Sequence, residues 1–273
     1  ELPPAVRCDL PDWLYERLRA QRGEDAVDAL AAALNRPAPL DLRVNSLRST
    51  RDEVLQQLAA SSLAATAGRL SPLAVRLRGK PALARHPLFL AGDIEVQDEG
   101  SQLLGYLVAP KRGEMVADFC AGAGGKTLLL GALMRSTGRL YAFDVAEKRL
   151  ANLKPRLARS GLSNVHPVRI ESENDQKVKR LAGKLDRVLV DAPCSGLGTL
   201  RRNPDLKWRQ SPESVAELTA KQAAILASAS RLVKPGGRLV YATCSLLAEE
   251  NEAVVGDFLA AHADFRVLPA GEI

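Results

Sequence analysis

Met115-Val116-Ala117-Asp118-Phe119-Cys120-Ala121-Gly122-Ala123-Gly124-Gly125-Lys126-Thr127 is the stretch on which the fold turns. A short apolar run gives way to glycines, and residues 126–134 then read as a helix. A strand that breaks into glycines and enters a helix lets backbone approach a ligand, and the helix N-terminus favours negative charge. The same alternation continues outward. Apolar runs at 140–144, 165–170, 187–191 and 239–243 predict four more strands. Helical patterns follow from 145 through 159, at 212–231 and at 249–261. Strands alternating with helices imply βαβ units in a parallel sheet. Mostly apolar strands of this length fit a sheet covered on both faces. The expected fold is an α/β, Rossmann-like sheet with helices on both faces, whose ligand lies at the carboxyl ends of the strands.

The N-terminal third has another character. Residues 12–19 and 24–34 read as helices, 35–39 break the pattern, and 40–45 alternate as a strand. Residues 50–60 form a helix with Thr50 as N-cap and Glu53 three residues on, the capping-box spacing. Residues 74–78 read as a strand. The sequence therefore divides into a small α+β module at 1–90 and a larger α/β domain at 91–273.

Composition narrows the class. The 273 residues are 46% hydrophobic and 26% charged, which excludes wholesale disorder. No apolar run approaches the roughly 18 residues of a membrane helix. The start, Glu1-Leu2-Pro3-Pro4, shows no basic-then-apolar leader. The formal charge is +6, and residues 176–209 carry nine bases against three acids, an excess equal to that of the whole chain. That points to an anionic partner. Cys8, Cys120, Cys194 and Cys244 form no CxxC pair, so neither a zinc site nor a disulfide framework is expected.

The glycine-rich turn admits three readings. A P-loop would need glycine where Cys120 stands, and a dinucleotide fingerprint would need it where Thr127 stands. The third is a nucleoside-type cofactor such as S-adenosylmethionine, with no phosphates to cradle. Asp144, ending the second strand, could then accept from ribose hydroxyls, but an acid there also serves NAD or caps the next helix. Two further strands end in Asp191-Ala192-Pro193-Cys194-Ser195-Gly196 and Thr243-Cys244-Ser245. Pro, Ser and Gly flank these cysteines, whereas inert core thiols sit among apolar neighbours.

These segments, together with Arg201-Arg202-Asn203-Pro204-Asp205, Lys207-Trp208 and Glu249-Glu250-Asn251-Glu252, are similar to the RsmB/Sun family of RNA cytosine-C5 methyltransferases over residues 96–261. Ala123 stands where the family usually has proline, Ser172 occupies the place of a third cofactor acid, and the family's final strand is not visible before Ile273. The resemblance implies S-adenosylmethionine held by Cys120, Ala121, Gly122, Ala123, Gly124, Gly125 and Lys126, with Asp144, Ser172 and Asp191. It implies Cys244 as the nucleophile that adds to cytosine C6, and Cys194 as the thiol that assists proton removal or release. Asp191 would read the amino group and N3 edge of cytosine, and Lys126 would approach the base, or simply complement nearby acids. DNA-type enzymes lack the strand-five cysteine, so the pair implies RNA. Arg201, Arg202, Lys207 and Arg209 would hold phosphates; Trp208 could stack on a base or, as tryptophan's high average burial favours, pack as core. The expected partner is ribosomal RNA, with transfer RNA the alternative, for a cytoplasmic monomer without metal or membrane. An NAD oxidoreductase would leave Cys244 without a role. An inactive RNA-binding relative would have no reason to keep both cysteines and Asp191.

Overall fold

The computed structural model describes residues 2–273. In chain order come α1 (Pro4–Arg7), α2 (Asp12–Arg22), α3 (Glu24–Leu34), β1 (Leu40–Val44), α4 (Arg51–Ala60), β2 (Ala65–Ala67), β3 (Ala74–Leu77), α5 (Pro87–Ala91) and β4 (Ile94–Val96). Then follow α6 (Glu99–Val108), β5 (Met115–Asp118), α7 (Gly125–Leu133), β6 (Arg139–Asp144), α8 (Glu147–Ser160), β7 (Val165–Arg169), α9 (Gln176–Lys179) and β8 (Leu185–Asp191). The last are α10 (Leu206–Arg209), α11 (Pro212–Ser230), β9 (Val233–Ala242) and α12 (Glu252–Ala261).

Two sheets result. The first is antiparallel, in the order β2-β3-β1-β4, and the second has the order β7-β6-β5-β8-β9. In the second, β5 pairs parallel with β6 and with β8, and β6 parallel with β7. Strand β5, which carries the glycine-rich turn, therefore lies at the centre. The apolar pattern that predicted it is explained by burial: Val116, Ala117, Leu140, Ala142, Val188 and Leu189 are all enclosed.

Local chemistry sets the element ends. Thr50 Oγ1 accepts the Glu53 amide at 3.3 Å while the Glu53 carboxylate accepts the Thr50 amide at 2.7 Å, a complete capping box. Strand β9 begins six residues before the predicted run, taking in Pro235 and Gly236. Proline has no amide to donate, and β9 can hold it because it is an edge strand. The last predicted helix starts at Glu252 rather than 249, because residues 248–250 form a tight 3-10 turn. Strands β2 and β4, three residues each, are too short to show an alternation.

The chain forms two compact units that are discontinuous in sequence. One comprises the chain up to Ala38, Ala192–Ala227 and Tyr241–Arg266. Its core joins Leu14, Leu18 and Val27 with Leu197, Leu200, Val215 and Leu247. The other comprises Pro39–Asp191, Ser228–Val240 and Val267–Ile273. It has one apolar cluster on the antiparallel sheet, around Leu42, Val54, Val75 and Ile94, and another on the parallel sheet, around Val116, Leu130, Leu140 and Leu153.

Candidate active site

In the larger unit the glycine-rich turn leaves β5 and feeds α7. Gly122 has φ +56° and Gly124 φ +81°. A Cβ on Gly124 would lie 2.2 Å from Leu153 Cδ1, so the turn closes on α8 only with glycine there. A Cβ on Gly122 would meet nothing within 4 Å, so the turn presents open space at that position. The Gly122 amide donates to Asp144 Oδ2 at 2.8 Å, and the Ala146 amide to Oδ1 at 2.7 Å. Asp144 thus ties the glycine turn to the start of α8, close to the capping role considered above.

Asp118 is enclosed beneath the turn. Its Oδ2 accepts the Thr127 hydroxyl at 2.7 Å, and its buried Oδ1 has no hydrogen-bond partner. Burial pushes its pKa up to about 7, opposed by the Thr127 hydrogen bond and reinforced by the nearby Asp191 charge. Lys126 Nζ lies 2.6 Å from Asp191 Oδ2. Ser172, after β7, is exposed, and its hydroxyl accepts the Asn174 amide at 3.2 Å. Asp175 accepts the amides of Glu171 and Lys177, which hold its carboxyl below the usual range.

The sequence reading did not find the groups that hold the turn from behind. Arg43 of β1 is buried; it donates to Gly125 O at 2.6 Å and to Gln97 Oε1. Its desolvation lowers its pKa to about 10, partly offset by Glu95. Arg156 of α8 donates to Ala123 O at 2.7 Å and is gripped by Glu95 Oε2 at 3.0 and 2.8 Å. Glu95 also takes Arg159 at 2.6 Å. Arg43 and Glu95 are register partners across β1 and β4. The available signal was a charge inside each short apolar strand. Alternation reads such charges as solvent-facing, whereas both are covered here.

In the smaller unit, Cys194 Sγ lies 3.3 Å from Cys244 Sγ, and the Cys244 amide donates to Cys194 Sγ at 3.3 Å. Gly198 N donates to Cys244 O at 2.8 Å, fixing the second cysteine's backbone. Cys244 is exposed and Cys194 half-buried; all four cysteines are thiols. The hydrogen bond to Cys244, burial and the Cys244 charge all push the Cys194 thiol up. That upward shift keeps Cys194 in its thiol form, 3.3 Å from Cys244 Sγ. Cys8 is of another kind: buried, bonded to Asp28 Oδ1 at 3.1 Å and raised to about 11 by desolvation first and Asp28 second.

The basic segment separates by environment. Arg202 and Arg209 are exposed, Arg209 lying 2.5 Å from Asp205. Arg201 is exposed and donates to the carbonyls of Arg36 and Pro37. Lys207 is 4% exposed, with its ammonium 2.5 Å from Asp9, so this cation is not presented for a phosphate. Trp208, read as core, is 60% exposed. The cause is α10, a single turn of four residues that sends Leu206 and Lys207 inward and Trp208 outward. Among the described residues no three His, Cys, Asp or Glu side chains come together as a metal site, and no helix is long and apolar enough to cross a membrane.

A sheet ordered β7-β6-β5-β8-β9, with a glycine turn after its central strand and an acid ending the next, defines a Rossmann-like α/β domain of the methyltransferase class. The family model described as 16S rRNA methyltransferase RsmB/F matches residues 105–272, and a model for that family's ferredoxin-like domain matches residues 10–83. The chain belongs to the 16S rRNA methyltransferase RsmB/F family. Among its relatives is the probable ribosomal RNA small subunit methyltransferase B of Synechocystis, 42% identical over 261 residues, which are 95% of this chain and 58% of that protein. The Bacillus subtilis protein of the same description is 35% identical over 268 residues, 96% of this chain and 58% of that protein. The chain thus spans about three fifths of the length of these curated relatives. A solved methyltransferase homolog from Pyrococcus horikoshii is 32% identical, with a TM-score of 0.83, covering 94% of this chain and 81% of its own.

Proposed function

We propose that the chain methylates C5 of a cytosine in RNA, with small-subunit ribosomal RNA the substrate. The observation that carries this is the thiol pair, Cys194 and Cys244, with their sulfurs 3.3 Å apart. The relatives' descriptions as ribosomal RNA methyltransferases support the substrate class.

C5 of cytosine is a poor nucleophile, and a thiolate adding at C6 makes it a better one. Cysteine suits the role because it is both nucleophile and leaving group. The exposed Cys244 Sγ forms the bond to C6, and the electron pair moves to C5. After methylation a solvent water takes the C5 proton, the C–H electron pair re-forms the C5–C6 double bond, the C6–S bond breaks and its pair returns to Sγ. The Cys194 thiol, 3.3 Å from Cys244 Sγ, stabilises the thiolate as it departs. A protonated Cys194 cannot begin as a base, so its place is release.

The turn fits S-adenosylmethionine: Gly122 leaves open space, Asp144 braces the turn, and the helix behind it needs no phosphate. Residues 120–126 with Asp144 would hold the cofactor, Ser172 being the weakest member because its hydroxyl serves its own loop. When bound, S-adenosylmethionine supplies the methyl group that C5 takes. Asp191, three residues before Cys194 and held by Lys126, accepts from the exocyclic amino group that uracil lacks. A site built around such a bond rejects the mismatched base strongly. Arg201, Arg202 and Arg209 grip phosphates, a contribution that weakens with salt.

The test is Cys244→Ala. Methyl transfer to 16S ribosomal RNA should fall to background while calorimetric binding of S-adenosylmethionine is unchanged. Retained turnover would remove Cys244 from the nucleophile's role.

A further inference from the structure

Glu250 and Asn251, adjacent at the end of the 3-10 turn 248–250, lie in a sequence segment the mechanism above leaves unused. Glu250 is fully buried. Its Oε1 accepts the Ser195 amide at 2.8 Å and the Gln222 side-chain amide at 2.9 Å; its Oε2 accepts the Ser195 hydroxyl at 2.5 Å. Gln222 Nε2 also donates to Pro193 O at 3.0 Å. The backbone on both sides of Cys194 is thus held by one carboxylate and its amide neighbour.

Asn251 does the same for Cys244. Its Oδ1 accepts the Thr243 hydroxyl at 2.6 Å, and its Nδ2 donates to Ser245 O at 3.3 Å and Leu247 O at 2.9 Å. The residues before and after Cys244 are both engaged. The Tyr241 hydroxyl donates to Glu250 O at 2.7 Å, and Ser195 Oγ lies 3.2 Å from Ser245 Oγ. One turn therefore holds one cysteine through each of two consecutive side chains.

We infer that Glu250 and Asn251 are positioning residues that set the Cys194–Cys244 separation. Neither need touch substrate. A peptide bond joins them, so the two cysteine turns share one rigid reference. A thiol that must stabilise a leaving thiolate depends on that distance, and misplacement by about 1 Å can cost about 100-fold in rate. Only this kinetic consequence rests on the proposed function; the thiol geometry does not.

The experiment reads the geometry without RNA. Diamide takes the two thiol hydrogens and is reduced to its hydrazine, while Cys194 and Cys244 join as a disulfide, which mass spectrometry of the linked peptides quantifies. The sulfurs need only close to a bond of about 2.05 Å. In the full chain, compared well below each variant's melting temperature, Glu250→Ala and Asn251→Ala should each slow this disulfide about ten-fold at unchanged KM for S-adenosylmethionine, with kcat down 10- to 100-fold. Glu250→Gln, which keeps an acceptor for the Ser195 amide, should recover most of both rates. If Glu250→Ala does not fold, Glu250→Gln and Asn251→Ala decide the matter. Folded alanine variants that cross-link at the parent rate would overturn the inference. Slowed cross-linking in a protein whose parent never methylates RNA would instead sink the function and leave the positioning role standing.

Discussion

Asp118 is a carboxyl whose surroundings favour the acid over the anion. Burial lifts its pKa from 3.8 to about 7 in the folded chain, and the Thr127 bond only moderates the rise. Between those values the folded state binds a proton that the unfolded state has lost. Stability from this group is therefore fully present below about pH 4 and falls as pH rises toward 7. Asp118→Asn removes the ionisation while keeping an acceptor for Thr127. Thermal unfolding should show the variant gaining on the parent as pH goes from 5 to 8, by on the order of a few kcal/mol. A constant difference across that range would mean that Asp118 titrates normally. Nothing in the text around Asp118 announces this shift; it follows from enclosure, which depends on residues distant in sequence.

At the scale of elements, the first sheet acts on the glycine turn of the second. Arg43 of β1 and Arg156 of α8, the latter steered by Glu95 of β4, each take a carbonyl of that turn. Hydrogen bonds from charged donors are worth about 1.5–3 kcal/mol. Arg156→Ala should therefore weaken S-adenosylmethionine binding about 10- to 100-fold by calorimetry, with the sheets intact by circular dichroism. Unchanged affinity would show that the turn holds its shape unaided. The parallel strands were legible because β5, β6 and β8 are buried and spell that burial in apolar runs. The glycine turn, both cysteines and Asp191 were legible as residue types at strand ends. The orientations of Lys207 and Trp208 were not, since four residues of helix have no period to read. Glu250 and Asn251 could be quoted but not assigned: Glu250 is fully buried against partners more than 25 residues away in chain, and Asn251 bonds to a turn whose geometry no pattern of residue types spells.

At the scale of the whole molecule, the two compact units interleave along the chain, and no local pattern could show that residues up to 38 share a core with Leu197, Val215 and Leu247. The charge excess at 176–209 also changes meaning. Lys207 is bound to Asp9 and Arg187 lies 3.2 Å from Glu114, both covered, so fewer cations face solvent than the sequence counts. In the proposed reaction the charge assists RNA binding, but the thiol pair defines the chemistry. The most direct measurement is therefore made on Cys194→Ala, mixed with 16S ribosomal RNA and S-adenosylmethionine, denatured and mapped by mass spectrometry. The account predicts a denaturant-resistant protein–RNA adduct through Cys244, absent from Cys194→Ala/Cys244→Ala, because addition proceeds while release stalls. No adduct, or one through any other residue, would contradict it.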